Sequence, residues 1–287
     1  MADSCAICGQ KIVGNHVRTS LGELVCEADL PVDHCRWCAR VHRRPDHRCE
    51  LCASSATHNS REAVSLSRAV LQWLEGHIPG HNMGDIPVEV VAGDSFGSSS
   101  NGMTRWRSAG NRLVDMVVQV RSGLPAFEIQ SVLAHEYGHV MLVRHPTTGA
   151  FTGGLGGTRD DEEEGFCEVL RVLWIDHARG PSWEYRVKSV RDNPDPVYGG
   201  GFRRVWPAYV EAGSVTRFRE TLFGQVAPGV IDGNSGTERD GHVPDEIVIG
   251  GSHRPTLAIS PSQRVPPVAR NAPPQDSPRR PDISWRQ

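Results

Sequence analysis

Cysteine spacing constrains the beginning of this chain more than any other feature of the sequence. Seven of the eight cysteines fall within residues 5–52. Together with one aspartate they form four short pairs, which are Cys5 and Cys8, Cys26 and Asp29, Cys35 and Cys38, and Cys49 and Cys52. Ligand pairs at this spacing are typical of zinc sites, and two tetrahedral zinc ions use eight ligands. A disulfide framework is the alternative, but the seven cysteines of this segment are odd in number and no secretory signal precedes them.

The eighth ligand of this segment is open between Asp29 and three histidines, which are His16, His34 and His47. Protein side chains fill both ligand sets, so we expect structural sites. Their metal would supply folding energy to a segment too small to build its own core. The layout resembles a LIM domain, which carries two sequential zinc sites, although one ligand type and two spacings differ. We predict a LIM-like double zinc module over residues 1–55 that binds a protein partner or caps the following domain.

Residues 135–139 spell H-E-x-x-H within a stretch of helical periodicity, and a β-branched strand pattern at 113–120 precedes it. On a helix, His135 and His139 project from the same face, where two imidazoles can share one zinc ion. Glu136 then lies beside the water that such a zinc binds. A strand that leads into a helix bearing both histidines is the zincin arrangement. The alternative is a surface helix with two incidental histidines.

A second helical pattern, which begins in the acidic run at 160–164, supplies a third ligand for the same zinc. Its apolar face comprises Phe166, Val169, Leu170, Leu173 and Trp174. We place Glu164 against the metal, with Glu163 as the competing ligand. Glu168 lies one turn later, where it can hydrogen-bond a ligand histidine. A capping role for these glutamates is the alternative, and Cys167 on the same helix is interpreted as a small buried residue.

A combination of motifs carries a family resemblance. They are residues 123–125, 133–140, 163–168, 174 and 196–203. In combination they resemble the peptidase domain of the plant LIM-containing, ubiquitin-activated organ-size regulators, over roughly residues 110–225. The Glu-Gly-Phe triplet that begins at Glu164 also resembles the third-ligand segment of gluzincin aminopeptidases. The resemblance implies a cytosolic gluzincin-type zinc metallopeptidase that cleaves protein or peptide substrates. The plant relatives carry ubiquitin-interacting helices ahead of the LIM domain, whereas this chain begins at the cysteine pairs, so the sequence leaves activation by ubiquitin or another partner open.

Metal-assisted hydrolysis of an amide needs a base and a hydrogen-bond donor for the oxyanion. Glu136 is the expected base. Tyr198, in a glycine-rich segment, is the candidate donor, and a packing role in a loop is the equal alternative. Arg203 and His177 are weaker candidates. The second functional hypothesis is an adaptor, in which the zinc module binds partners and the peptidase-like domain is inactive or controlled by them.

The remaining patterns predict an α+β zincin domain over residues 60–225 followed by a tail. They are a helix at 61–76, a strand at 86–92, a hairpin turn or exposed loop at 93–110, and helices around 181–189 and 203–223. Half of the twenty prolines lie in residues 226–287, which we expect to be disordered. Residues 245–250 are either a short strand or a docking peptide.

Charge and hydropathy bear on the partners of the chain. The arginines that interleave with the second cysteine group are Arg36, Arg40, Arg43, Arg44 and Arg48. Such a cluster raises a nucleic-acid hypothesis, but 31 lysines and arginines face 34 acidic residues, for a formal net charge of -3. We therefore favour a solvated basic face over nucleic-acid binding. No transmembrane run or signal sequence is present, which with the thiol-rich sites predicts the cytoplasm.

Overall fold

The computed structural model describes residues 4–79, 83, 86–95, 100–109, 112–144, 160–224 and 245–249. All of these residues belong to one compact unit. Most of the tail predicted at 226–287 lies outside the described residues. Within them the chain combines helices with a mixed sheet, so the predicted α+β class is confirmed. None of the described helices is long and apolar enough to cross a membrane.

Short antiparallel hairpins build the cysteine-rich segment. The elements are strands β1 (His16–Arg18), β2 (Leu24–Cys26), β3 (Asp33–His34) and β4 (Val41–His42), helix α1 (Glu50–Ser54) and strand β5 (Ala56–Thr57). β1 pairs with β2, and β3 pairs with β4. β5 pairs with strand β9 (Leu124–Pro125), which lies far along the chain. This pairing joins the end of the cysteine-rich segment to the start of the central helix.

A four-stranded sheet lies at the centre of the larger part of the molecule. Its strands are β6 (Val88–Val91), β7 (Gly102–Ala109), β8 (Arg112–Arg121) and β10 (Asp245–Ile249). The order is β10-β7-β8-β6, with β6 parallel to β8 and the other pairs antiparallel. Residues 102–109 were predicted as part of a turn or loop, and they form a full strand instead. Alternate burial of Thr104 and Trp106 explains the difference, because one face of β7 packs on the core.

Six helices among the described residues complete the fold. They are α2 (Ser60–His77), α3 (Ala126–Arg144), α4 (Asp160–Ala178), α5 (Trp183–Arg191), α6 (Tyr198–Ala212) and α7 (Val215–Phe223). Asn59 caps α2 by accepting a hydrogen bond from the Glu62 amide, and Ser214 caps α7 in the same way from Arg217. The helix predicted at 203–223 is two helices, because Gly213 ends α6 in a left-handed conformation with φ of 67°.

Helix α3 is buried on every side. Each residue from Ser131 to Leu142 is buried, because the helix is covered by β7 and β8, by α2 and by α4. The sequence explains this position, since apolar residues occur all around α3 rather than along one stripe. The histidines of the H-E-x-x-H motif therefore lie in the core of the protein. The alternative that this segment is a surface helix is therefore wrong.

Strand β10 covers the outer edge of β7. Its register places Asp245 opposite Ser108 and Ile249 opposite Thr104. Of the two alternatives for residues 245–250, the structure has the short strand. An uncovered edge of this length would present unpaired amide and carbonyl groups to other chains.

We predict that truncation after residue 244 destabilises the protein, whereas truncation after residue 255 does not. The shorter chain loses β10 and leaves the β7 edge unpaired, so we expect its melting temperature to fall by about 2–4 °C for each kcal/mol lost and its self-association to rise. Thermal melts and sedimentation of both truncated proteins measure these effects. Identical behaviour of the two proteins would show that β10 does not protect the edge.

Candidate metal centres

Two ring nitrogens and one carboxylate oxygen converge between α3 and α4. His135 Nε2 lies 3.3 Å from His139 Nε2. Glu164 Oε2 lies 3.0 Å from His135 Nε2 and 3.5 Å from His139 Nε2. Ligands bonded to a tetrahedral zinc at about 2.0–2.2 Å are separated from each other by about 3.3–3.6 Å. The three atoms therefore have the spacing of three corners of such a site, and the predicted ligand Glu164 is one of them.

The proton positions at this cluster also fit a metal. His135 Nδ1 lies 3.0 Å from Glu168 Oε1, which favours the proton on Nδ1 and leaves a lone pair on Nε2. Glu164 Oε2 is buried and faces both Nε2 atoms. A buried acceptor that faces other acceptors is costly unless a cation lies between them. The donor set thus suits a cation such as zinc.

Without a metal, the imidazoles and carboxylates of this cluster stabilise each other's charged forms. Burial alone would lower the pKa of His135, but the carboxylates of Glu164 and Glu168 outweigh it and raise that pKa to about 10. Burial alone would raise the pKa of Glu164, but the imidazoles of His139 and His135 lower it to about 2. In the absence of metal, the site therefore retains a proton on an imidazole that a metal ion would have to displace.

Close packing of α3 on α4 brings these ligands together. A Cβ atom added at Gly138, inside the H-E-x-x-H motif, would lie 2.7 Å from Cys167 Sγ and 3.2 Å from Cys167 Cα. A Cβ atom added at Gly201 of α6 would lie 2.1 Å from the Asp161 carbonyl of α4. Neither position has room for a side chain, so both glycines let helix backbones approach closely. The glycine of the motif is therefore part of the geometry of the site.

Glu136 is completely buried beside the cluster and is held by one partner. Thr104 of β7 donates its hydroxyl hydrogen to Glu136 Oε2 at 2.9 Å. The other oxygen, Oε1, has no hydrogen-bond partner among the described residues. Burial raises the pKa of Glu136 above its ordinary value. The predicted base thus has one fixed oxygen and one oxygen available for a proton.

The other predicted residues differ in position. Tyr198 is the first residue of α6, and its ring centroid lies 6.2 Å from that of His135. Asp195 holds it there by accepting a hydrogen bond from the Tyr198 amide at 3.1 Å. By contrast, Arg203 donates to the carbonyls of Arg191 and Asn193, and His177 packs among Trp73 and Trp174. Glu163 is only half-buried.

Cys167 is a neighbour of the cluster that sequence analysis treated only as a packing residue. It is completely buried, and its sulfur lies within 4.8 Å of the two histidine ligand nitrogens. Burial raises the pKa of its thiol well above the ordinary value, so the sulfur is protonated in the metal-free protein. Glu164, at 3.0 and 3.5 Å from the nitrogens, is the better placed third ligand.

A chain of buried charges extends from His135 to α5. Arg171 lies 3.3 Å from Glu168 Oε1 and 2.8 Å from Glu128 Oε1, and Arg186 lies 3.2 Å from Glu128 Oε2. All four side chains are at least 90% buried. Glu168 therefore contacts an imidazole on one side and a guanidinium on the other, which fixes its orientation. Sequence analysis found Glu168 but not the other three residues.

We predict that Arg171→Met destabilises the protein by about 3–5 kcal/mol, because it leaves two buried carboxylates without their shared cation. It should also weaken metal binding at the histidine cluster by about 10–100-fold, because Glu168 loses its fixed orientation. Chemical denaturation and competition with a metal chelator measure the two effects. Arg217→Gln, at an exposed arginine of α7, is the matched control, and equal behaviour of the two variants would contradict the role of the charge chain.

The second cysteine group brings four buried sulfurs together. Cys38 Sγ lies 3.5 Å from both Cys49 Sγ and Cys52 Sγ, and the four ligand atoms with Cys35 lie within 4.8 Å of one another. None of the eight cysteines is in a disulfide. Four converging thiols without a disulfide are the arrangement of a structural metal site.

The first cysteine group uses an aspartate. Asp29 Oδ2 lies 3.1 Å from Cys5 Sγ and 2.9 Å from Cys26 Sγ, and Cys8 Sγ lies 3.9 Å from Cys26 Sγ. Hydrogen bonds from the thiols of Cys26, Cys8 and Cys5 lower the pKa of Asp29 to about 2. Of the alternatives for the eighth ligand, Asp29 is in place, whereas His16 is exposed and faces the Gly14 carbonyl.

The two cysteine groups belong to different cores. The sulfurs of the second group are part of the main hydrophobic core, together with residues of α2, α3 and α4. Cys5 belongs to a small separate cluster with Val25 and Val41. A metal ion in the second group would therefore stabilise the larger part of the molecule, and one in the first group would stabilise only the N-terminal hairpins.

We predict that Cys52→Ser lowers the global stability of the protein, whereas Cys8→Ser unfolds only the N-terminal hairpins. Each variant should lose about one metal ion, because a structural site needs its complete ligand set. Denaturation followed by tryptophan fluorescence, together with metal analysis, tests this difference. A loss of global stability in Cys8→Ser as large as in Cys52→Ser would contradict it.

Comparison of the chain with protein-family models, with curated proteins and with solved structures gives no match. Functional assignment therefore depends on the residues and geometry of the sites.

Proposed function

We propose that the chain is a zinc-dependent metallopeptidase of the gluzincin type that hydrolyses peptide bonds of protein substrates. The observation that carries this proposal is the buried convergence of His135, His139 and Glu164 beside Glu136. Three ligands leave one position of a tetrahedral site for water, as a catalytic zinc requires. A zinc ion bound there would lower the pKa of a coordinated water and polarise a carbonyl group. The sequence resemblance to LIM-containing plant peptidases supports the same class.

In this proposal Glu136 accepts a proton from the water and later delivers it to the departing amine. Burial raises the pKa of Glu136 above its ordinary value, which makes the carboxylate a better proton acceptor. The hydrogen bond from Thr104 fixes Oε2 and leaves Oε1 to handle the proton. Glu168 keeps the His135 ring in one tautomer, which presents the Nε2 lone pair.

Tyr198 is the proposed hydrogen-bond donor for the oxyanion of the tetrahedral intermediate. Its ring lies beside that of His135, and the N-terminus of α6 positions it. Tyr198 is 8% exposed, so most of its side chain is buried beside the cluster.

The two cysteine groups are proposed as structural zinc sites of a LIM-like module, which gives three zinc ions per chain. A second candidate function is that of an adaptor in which this module binds a protein partner. The observation relevant to this candidate is that three apolar side chains of the first cysteine region are exposed, Val13 at 88%, Val17 at 47% and Leu30 at 40%. Eight thiols without a disulfide fit a reducing compartment, so we propose the cytoplasm.

We predict that Glu136→Gln retains all three zinc ions and loses cleavage of protein substrates by at least about 1000-fold, because a carboxamide cannot accept the proton. Metal analysis and comparison of protein termini in cells that express the parent or the variant measure both properties. Glu211→Gln, at an exposed carboxylate of α6, is the control and should cleave as the parent does.

Cleavage by Glu136→Gln at the rate of the parent would show that Glu136 is not the base. If the parent cleaves nothing while it holds its zinc, the adaptor function is the better proposal. Loss of the histidine-bound zinc in the variant would instead show that Glu136 contributes to metal binding.

A further inference from the structure

A second site lies where the cysteine-rich segment meets the central sheet. A cavity of about 290 Å³ opens between the turn that follows Cys35 and the end of β8. We call it the junction pocket, and its charged or ionisable lining residues are Arg36, Arg48, Arg121 and His58. None of the described residues that line it is acidic. The pocket is separate from the histidine cluster, because no residue of that cluster lines it.

The arginines are held in place by groups behind the pocket. Arg36 donates to the Asp46 carbonyl at 2.8 Å. Arg48 donates to Asp46 Oδ2 at 3.0 Å and to the Gly123 carbonyl at 3.4 Å. Asp46 is shared, because Arg44 also pairs with it at 3.3 Å. The Asp46 carboxylate thus contacts Arg44 and Arg48, and Arg44 also pairs with Glu50 at 3.1 Å. The pocket lining itself carries three arginines and no acidic residue, so it favours a negatively charged ligand.

Several guanidinium groups around one small cavity make it attractive to an anion. Each guanidinium presents paired N–H donors that match the oxygens of a phosphoryl group. Such a group carries three strong acceptor oxygens and close to two negative charges near neutral pH. His58, whose Nδ1 lies 3.1 Å from Ser122 Oγ, is a further polar residue in the lining of the junction pocket.

We propose that the junction pocket binds one phosphoryl group, carried either by a side chain of a protein partner or by a small phosphate ester. The cavity has room for a phosphoryl group together with part of its carrier, whereas a nucleic acid needs an extended basic surface. The formal net charge of -3 argues in the same direction. This proposal does not depend on the peptidase function.

Bound phosphate would join two parts of the molecule. Arg36 and Arg48 lie in the segment that carries the second cysteine group. Arg121 is the last residue of β8, just before β9. Between them, β5 pairs with β9, and the Ala126 amide at the start of α3 donates to the Ser55 carbonyl at 2.9 Å. The ligand would therefore bind to the cysteine-rich segment and to the strand that leads into α3. We expect it to stabilise the folded protein.

Calorimetric titration of the full, metal-loaded chain tests the proposal. The probes are inorganic phosphate, a phosphoserine peptide, the same peptide without phosphate, and a homopolymeric RNA. We expect the phosphorylated probes to bind and to raise the melting temperature, with an affinity that falls as salt is added. Arg121→Gln combined with Arg36→Gln should weaken binding at least about tenfold, because paired donors are lost. Arg68→Gln, at an exposed arginine of α2, should bind as the parent does.

The probes also separate the sources of the phosphoryl group. Binding of the phosphopeptide at least tenfold tighter than of phosphate assigns the pocket to a phosphorylated protein, and equal affinities assign it to a small phosphate ester. Arg121→Lys keeps the charge and should lose only part of the affinity for the phosphorylated probes. If the double variant fails to fold, this single variant tests whether Arg121 contributes to phosphoryl binding. The proposal is overturned if no phosphorylated probe binds, if Arg121→Gln with Arg36→Gln binds as the parent does, or if RNA binds more tightly than the phosphopeptide.

Discussion

The contact between α3 and α4 determines most of what this molecule can do. At Gly138 the two helices approach so closely that a single methyl group would collide with Cys167. This approach is what brings a carboxylate of α4 to the imidazoles of α3 within the bonding geometry of one ion. A second close approach, between α4 and α6 at Gly201, fixes α4 from its other side. The candidate centre is therefore a product of helix packing, and its ligands have little freedom to rearrange.

Burial of charge is the second constraint. The core contains Glu128, Glu168, Arg171 and Arg186 in alternating contact, next to the imidazole of His135. Each charge in such an arrangement is stabilised only by its neighbours, so the group acts as a unit. It also orients the imidazole, and in this way the stability of the helix bundle and the metal affinity of the site are coupled. These four charged side chains therefore make part of the protein core polar.

Local patterns in the sequence predicted the features that depend on local geometry. The spacing of His135 and His139 and the periodicity around Glu164 follow from the helical repeat, so both helices were expected. Strand β7 was missed, because serines and glycines precede it and few of its residues are β-branched. The choice of Asp29 over three histidines was left open, since it depends on the path of the chain. Arg171 and Arg186 were not found, because their contacts join residues far apart in sequence.

The division of the ligands between separate helices has a consequence for biosynthesis. The ribosome makes the two imidazoles of α3 well before the carboxylate of α4, and the glycine contact of α6 comes later still. A nascent chain that ends within α3 therefore carries an incomplete ligand set, which holds zinc only weakly. Under the proposed function, the protein would gain peptidase activity only after most of the polypeptide has left the ribosomal exit tunnel.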